Sequence, residues 1–276
     1  MKTILSIQSQ VSFGAVGNTL ATMVANVMDI DIATVNTISL VAHPGYGIRA
    51  GGITSDADLS SILTAISTLD LWADIGMITT GYMAKNTQVG LTRTAIDSAK
   101  SRPLASPLSV LIDPAFGDHG KHYNDAGIAH AIRNELLPVA DIITPNRFEA
   151  CFLSGMDITD AATAASAGRT LLSRYENMKT VIITGIVLDS QSMDILIQRD
   201  QIMHHTAPRL DHNANGFAGG GDLFASLLSG YLMKGVDMGK AFQTTADLTG
   251  RILKHLDKQK ERDIFRHAIM ACFNDG

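Results

Sequence analysis

The sequence predicts an α/β protein with one doubly wound, mostly parallel β-sheet, and three observations support this class. Short apolar runs alternate with longer helical patterns through most of the 276 residues. A hairpin pattern follows this alternation, and a helical tail follows the hairpin. This order is typical of a parallel sheet that carries helices on both faces. Because no linker or low-complexity tract divides the chain, we expect a single domain over residues 1–276.

The elements are justified by apolar runs for strands and by three- to four-residue spacing of small and apolar side chains for helices. Strands are predicted at residues 3–7, 31–36, 74–79, 109–112, 141–143 and 180–184. Helices are predicted at residues 18–28, 56–69, 87–100, 125–137 and 160–175, and another helix starts over 147–153. Ser55 is placed to cap the helix at 56–69, because serine is favoured at the N-cap.

The last part of the chain follows a different rhythm. Residues 193–198 and 201–205 read as two adjacent strands joined by a polar turn at Arg199-Asp200, which predicts a hairpin. From Gly219 onward, helices are predicted over residues 221–233, 239–256 and 262–273.

Composition excludes several classes of function. The net charge is −5 and basic residues are scattered, which argues against nucleic acid as the main partner. The N-terminus is too short and polar for a signal peptide, and no apolar run approaches the ~20 residues that span a bilayer. Cys151 and Cys272 form no disulfide framework or zinc pattern. We therefore expect a cytoplasmic protein without a membrane partner.

Polar side chains gather where predicted strands end. They occur at residues 8–10, 79–82, 113–114, 144–146 and 184–185. Because the carboxyl ends of parallel strands meet at one edge of a sheet, these groups are expected to form the rim of a binding site.

Gly219-Gly220-Gly221-Asp222 leads directly into an amphipathic run. Glycines at a helix start let backbone N–H groups approach an anion, and the helix dipole adds roughly half a positive charge there. An aspartate beside such an anion site is well placed to take a proton from an attacking hydroxyl. The alternative reading of this tetrapeptide is an aspartate N-cap after a flexible loop.

Three further carboxylates are candidate metal or phosphate residues, each with a structural alternative. Asp113 ends a predicted strand and Asp118 follows in the next loop, a set that suits Mg²⁺ or its bound waters but also suits turn chemistry. Asn146 and Glu149 can form a capping box, and Glu149 can equally hold a metal-bound water. Residues 45–50 formally match a dinucleotide-binding pattern, but they do not lie between a predicted strand and the start of a predicted helix, so we discount the match. The chain also has no Walker motif.

In chain order these blocks resemble the pyridoxal kinases of the ribokinase-like superfamily. The matching blocks are Leu5-Ser6-Ile7-Gln8-Ser9, Val16-Gly17-Asn18, Thr80-Gly81-Tyr82, Asp113 to Asp118, Ala140 to Glu149, and Gly219-Gly220-Gly221-Asp222. The resemblance runs from residue 4 to about 235. It implies a three-layer α/β/α ribokinase-like fold with a mostly parallel central sheet.

The resemblance also implies an activity, which is transfer of the ATP γ-phosphoryl group to the 5′-hydroxymethyl of a B6 vitamer. Asp222 would be the base, and Gly219, Gly220 and Gly221 would stabilise the transferring group. Nucleotide contacts are implied for Asp113, Asn146, Thr184, Asn213, Asn215, Phe217 and Gly220, metal contacts for Asp118, Thr144 and Glu149, and vitamer contacts for Ser9, His43, Pro44, Tyr82 and Asp222. ATP and Mg²⁺ would be required, and the resemblance also implies a homodimer. Whether a monovalent cation takes part is left open.

The chain departs from the family pattern at three places. Gln10 replaces the usual histidine, Ala42-His43-Pro44 replaces Asn-His-Thr, and Gly220 stands where Thr or Ala is usual. The first two leave the preferred vitamer open. Two alternatives also stay open: a hydroxymethylpyrimidine kinase of the same superfamily, and a catalytically silent relative that binds nucleotide or pyridoxal phosphate.

Overall fold

The computed structural model describes residues 2–103, 107–210 and 218–274. Within this part the strands are β1 (Thr3–Val11), β2 (Ile32–Leu40), β3 (Gly51–Ile53), β4 (Ile75–Thr80), β5 (Ser109–Ile112), β6 (Gly117–Asp118), β7 (Lys121–His122), β8 (Ile142–Ile143), β9 (Thr180–Leu188), β10 (Gln191–Ile197) and β11 (Ile202–Pro208). The helices are α1 (Gly17–Val27), α2 (Asp56–Thr68), α3 (Asn86–Lys100), α4 (Ala126–Ala131), α5 (Arg147–Ser154), α6 (Ala161–Arg174), α7 (Gly220–Met233), α8 (Met238–Gln259) and α9 (Arg266–Asn274).

One nine-stranded sheet has the order β11-β10-β9-β8-β5-β4-β1-β2-β3. Its six central strands, from β9 to β2, pair in parallel, whereas β3 at one edge and the β10–β11 hairpin at the other are antiparallel. The predicted mostly parallel sheet and the predicted hairpin are therefore confirmed.

Side-chain alternation along the strands separates two helical layers. In β1, Ile4 packs with apolar side chains of α1 and α7, whereas Leu5 and Ile7 pack in the core that contains α2 and α3. Likewise, Leu111 of β5 faces Phe224 and Phe242 of α7 and α8. The sheet is thus buried on both faces, which explains why its central strands read as continuous apolar runs.

Several predicted boundaries were wrong. β1 continues to Val11 because its end pairs with β2, so Gln8, Ser9 and Gln10 lie inside the strand rather than after it. The three residues of β3 were not predicted, because two of them are glycines. The helix predicted over 125–137 changes after α4 into a π turn and then a 3₁₀ turn that contains Pro138.

The last helix also begins later than predicted. Residues 262–265 precede α9, because the Asp263 side chain turns toward the loop that contains His43 and Tyr46. Among the described residues, none of the helices combines the length and apolar character needed to cross a membrane.

Candidate active site

The carboxyl ends of neighbouring parallel strands form one edge, as the sequence predicts. The backbone N–H of Asp113, just after β5, donates to the carbonyl of Thr80 at the end of β4 (3.2 Å). Farther along, the N–H of Thr144 donates to Ile112 (3.1 Å). The N–H of Thr184 in β9 donates to Pro145 (3.0 Å). Three of the predicted nucleotide or metal residues are therefore held by the ladder of the sheet itself.

Asp222 lies in the first turn of α7, and Gly219 is the N-cap of this helix. Gly219 has a φ of 90°, and a Cβ there would lie 2.7 Å from the Ala15 carbonyl oxygen. By contrast, a Cβ on Gly220 would meet no atom within 4 Å, so the space before the helix start is open on that side. The first-turn N–H groups of α7 have no intrahelical partners and are available to an anion.

The Asp222 carboxylate accepts a hydrogen bond from the backbone N–H of Gly17 (Oδ2, 2.9 Å). Burial raises the pKa of Asp222, and the Gly17 hydrogen bond offsets part of this rise. A raised pKa strengthens a carboxylate as a proton acceptor near neutral pH. Asp222 also lines a slot together with Gln8 of β1 and with Thr79 and Thr80 at the end of β4.

Asp113 lies beside the start of the same helix. A Cβ placed on Gly221 would be 3.8 Å from Asp113 Oδ2. Burial raises the pKa of Asp113 well above its usual value, and repulsion from Glu149 and Asp222 raises it further. The structure therefore brings three carboxylates to one edge of the sheet, where Glu149 and Asp222 both disfavour ionisation of Asp113.

Glu149 and Asn146 form the predicted capping box at the start of α5. Glu149 Oε2 accepts from the Asn146 N–H (3.0 Å), while Oε1 accepts from the N–H groups of Phe116 (2.9 Å) and Gly117 (3.3 Å). Burial nevertheless raises the pKa of Glu149 to about 8. The capping-box reading is confirmed, and the same carboxylate orders the loop that carries Asp118. That Glu149 holds a metal-bound water stays a prediction.

The remaining predicted metal residues differ in exposure. The Asp118 side chain is 43% exposed, and its Oδ1 accepts from the N–H of His119 (2.7 Å). Thr144 Oγ1 is buried and has no hydrogen-bond partner. Over the described ranges, no three His, Cys, Asp or Glu side chains converge as a direct metal cage.

Ser9, the predicted pocket serine, lies close to the Asp222 partner. Gly17 has a φ of 55°, and a Cβ there would lie 2.2 Å from the carbonyl oxygen and 2.4 Å from Oγ of Ser9. Glycine is therefore required at position 17. Ser9 of β1 thus lies close to Gly17, whose N–H donates to the Asp222 carboxylate.

The other predicted vitamer residues lie on loops. Tyr82 follows β4, and its hydroxyl accepts from Asn124 Nδ2 (3.2 Å). His43 is buried and caps a 3₁₀ turn that begins at Pro44, where its Nδ1 accepts from the Gly45 N–H (3.2 Å). Pro44 itself is exposed. The departure at Gln10 also has a structural outcome, because its amide donates to Thr19 Oγ1 (2.8 Å).

The structure gives a role to two residues to which the sequence analysis assigned none. Asp194 in β10 accepts from the Gly185 N–H (2.8 Å) and thereby fixes the backbone next to Thr184. Asn18 is fully buried, and its amide donates to carbonyls of β1 and β2. A polar residue within an apolar segment was the available signal for each. Asn213, Asn215 and Phe217 lie outside the described residues.

The chain is similar in sequence to known kinases. The family model described as phosphomethylpyrimidine kinase matches residues 63–263. A pyridoxine/pyridoxal/pyridoxamine kinase of Bordetella bronchiseptica is 30% identical over 94% of this chain and 89% of its own length. A pyridoxal kinase of Rubrobacter xylanophilus is 28% identical over 95% of this chain and 90% of its own length.

Solved structures agree with these relatives. The pyridoxal kinase of Entamoeba histolytica superposes with a TM-score of 0.89 at 25% identity, covering 98% of this chain and 95% of that one. The pyridoxal kinase of Leishmania donovani in complex with ADP and ginkgotoxin has a TM-score of 0.88 at 25% identity, covering 97% and 94%. Fold, ordered motifs and relatives agree: this chain belongs to the pyridoxal kinase family of the ribokinase-like superfamily.

Proposed function

We propose that this protein is a kinase that transfers the γ-phosphoryl group of ATP to the 5′-hydroxymethyl of pyridoxal, pyridoxine or pyridoxamine. The observation that carries this proposal is the position of Asp222 at the helix start, beside Asp113 and on the N–H of Gly17. This places a proton acceptor next to backbone donors that favour an anion. Relatives named as kinases for these vitamers support the same substrate class.

In the proposed reaction, Asp222 accepts the proton of the vitamer hydroxyl as its oxygen attacks the γ-phosphorus of ATP. The bond between that phosphorus and the β,γ-bridging oxygen breaks, and ADP leaves. The first-turn N–H groups at Gly220 and Gly221 would face the negative charge on the transferring group. The raised pKa of Asp222 supports this role, because burial weakens the carboxylic acid.

Nucleotide binding is proposed for the sheet edge that contains Asp113, Asn146 and Thr184. Glu149, Thr144 and Asp118 would hold Mg²⁺, partly through its waters, and the ion would neutralise phosphate charge. Two observations support this fit. Thr144 Oγ1 is buried without a hydrogen-bond partner, and burial raises the pKa values of Asp113 and Glu149, so a cation there is favourable. Asn213, Asn215 and Phe217 are proposed to complete the nucleotide contacts.

The vitamer is proposed to bind between the end of β1 and the loops at His43 and Tyr82. Ser9 would hydrogen-bond its pyridine ring. Pro44 supplies no hydroxyl, and the Gln10 amide is engaged by Thr19. These two departures bear on which vitamer is preferred, not on the phosphoryl-transfer step.

A second candidate is a hydroxymethylpyrimidine kinase, which is favoured by the name of the matching family model. It would keep the same sheet, base and metal residues. The sequence Gln8-Ser9-Gln10-Val11 resembles the pyridoxal branch instead, and no lid cysteine occurs between Cys151 and Cys272. A silent nucleotide or pyridoxal phosphate binder is the third candidate.

Steady-state turnover with ATP and Mg²⁺ separates the three. The proposal expects turnover on at least one B6 vitamer with a kcat/KM that exceeds the value for hydroxymethylpyrimidine. A preference for the pyrimidine would establish the second candidate. Absence of turnover on all four compounds, together with tight pyridoxal phosphate binding, would establish the third.

We also propose a single-domain, cytoplasmic homodimer. One sheet joins strands from Thr3 to Pro208, which supports a single domain. Around β3, the side chains of Val41, Ile48 and Ile53 are exposed, and exposed apolar side chains favour a protein contact. Light scattering coupled to size exclusion at micromolar concentration tests the dimer, which predicts a mass of twice 29.4 kDa.

A further inference from the structure

Asp263 is a buried carboxylate that the proposed chemistry does not use. It is 3% exposed and lies in residues 262–265, the segment that precedes α9. Its Oδ2 accepts a hydrogen bond from the hydroxyl of Tyr46, and its Oδ1 lies 3.4 Å from His43 Nε2. Aspartate is almost never fully buried without partners, so the contacts with Tyr46 and His43 account for the burial of this carboxylate.

Neighbouring side chains in residues 262–265 contact the loop of His43 and Tyr46 or pack beside it. The Arg262 guanidinium lies 3.9 Å above the centroid of the Tyr46 ring and also donates to the Gly45 carbonyl. The Phe265 ring packs edge-on against Phe13 at 6.1 Å, and Phe13 packs edge-on against Tyr46 at 5.8 Å. A segment more than 200 residues away in sequence thus contacts the ring, backbone and hydroxyl of one short turn.

Asp263 also contacts the connection between β1 and α1. A Cβ on Gly14 would lie 2.6 Å from Asp263 Oδ1 and 3.8 Å from His43 Cδ2. That connection leads to Gly17, whose N–H holds Asp222. Asp263 therefore lies where the loop of His43 and the connection that follows Ser9 meet, on the side where the vitamer is proposed to bind.

We propose that Asp263 is a positioning residue that fixes the turn at residues 43–46 and thereby sets the affinity for the vitamer. This inference rests on the proposed function. An uncharged amide in place of the carboxylate keeps only one oxygen, so the Tyr46 hydroxyl and His43 Nε2 can no longer both face an acceptor. The turn then samples more conformations. Vitamer binding must then order the turn, which weakens affinity for the vitamer. ATP is proposed to bind residues outside the turn, so its affinity is expected to stay the same.

The test uses Asp263→Asn in the full chain, since asparagine keeps the volume and removes the charge. We expect the KM for pyridoxal to rise about 10-fold, as for loss of a hydrogen bond to a charged group, while the KM for ATP stays within about twofold. Glu261→Gln is the matched control. It removes the same charge two residues away, where the side chain contacts His267 rather than the turn, and should change neither KM.

Trypsin cleavage after Arg49 gives a second readout, which does not depend on enzymatic activity. Arg49 is exposed just beyond the turn. We expect the fragment of residues 1–49 to form faster in Asp263→Asn than in the wild type or Glu261→Gln, and pyridoxal to slow this cleavage. Tyr46→Phe removes only the hydroxyl and covers the case in which Asp263→Asn does not fold. It should raise the KM for pyridoxal in the same direction, and the double variant should be no worse than Asp263→Asn.

Equal increases in both KM values would overturn the inference, and so would unchanged KM and cleavage in Asp263→Asn and Tyr46→Phe. If the wild type phosphorylates no B6 vitamer, the proposed function fails instead. In that case the trypsin comparison still decides whether Asp263 holds the turn.

Discussion

The acidic edge of the site, formed by Asp113, Glu149 and Asp222, and the turn at residues 43–46 differ in what holds them. The acidic edge is built on strand ends and helix starts, and backbone N–H groups hold Glu149 and Asp222 directly. The turn is held by side chains of residues 262–265, far away in sequence. The comparison indicates that the proposed chemistry lies on secondary-structure elements, whereas the proposed selectivity lies on a loop that depends on tertiary contacts.

The largest effect is expected at the acidic edge. Asp222→Asn should lower kcat by roughly 10²–10⁴-fold, because the amide cannot accept the hydroxyl proton, with little change in nucleotide affinity. Steady-state turnover and ADP titration calorimetry measure the two quantities. Asp247→Asn, on the exposed side of α8 and paired with Arg251, is the control and should be neutral. Turnover of Asp222→Asn close to the wild-type value would rule out the proposed base.

The same difference explains how much the sequence could predict. The parallel sheet, the hairpin and the gathering of Asp113 and Thr144 at one edge follow from local periodicity, because these two residues directly follow β5 and β8. Thr184 lies at the same edge although β9 continues past the predicted end at residue 184 to Leu188. The position of the glycine–aspartate stretch at a helix start was equally predictable from the amphipathic run that follows it, whereas its catalytic role stays a prediction.

The contacts of Asp263 and Asp194 were not readable, because each depends on pairing between segments that are distant or out of register. Residues 262–265 carry a helical pattern, and only the tertiary contacts of Asp263 show why the helix starts later. Asp194 lies where the register of β9 and β10 shifts, and a shift of this kind has no signature in a single strand.

Asp194 offers the next test of rigidity at the nucleotide side. Asp194→Ala leaves the Gly185 N–H without its acceptor, so the backbone beside Thr184 should loosen. We expect the KM for ATP to rise about 10-fold and the KM for the vitamer to change less than about twofold. Asp200→Ala, in the exposed turn between β10 and β11, is the control. A larger change in the vitamer KM would contradict the assignment of this edge to nucleotide.

A smaller effect is expected from the titration of His43. Burial lowers the pKa of His43 below 6.5, although Asp263 opposes this and Arg262 adds to it. The unfolded chain therefore binds more protons at this residue, and the stability that neutral His43 contributes is present above pH 6.5 and is lost as pH falls. Relative to His43→Gln, the wild type should therefore lose more unfolding free energy between pH 7.5 and 5.5, because only the imidazole takes up a proton over this range.

Urea unfolding at the two pH values measures this difference. The titratable or charged neighbours of His43 are Asp263, Arg262 and Tyr46, and all remain in the variant, so the comparison isolates the imidazole. Equal pH dependence in both proteins would show that His43 ionises freely and that the turn is looser than the structure indicates.

The smallest effect concerns the exposed end of the turn. Pro44→Thr restores a hydroxyl where the family usually has one, and it should shift the ratio of kcat/KM between pyridoxal and pyridoxine about threefold while the KM for ATP stays constant. Pro44→Ala is the matched control, because it removes the ring of the first residue of the 3₁₀ turn without adding a hydroxyl. Similar changes in both variants would assign the effect to the backbone. Equal effects on vitamer and ATP would separate the turn from the vitamer pocket, and selectivity would then have to reside on the rigid edge with the chemistry.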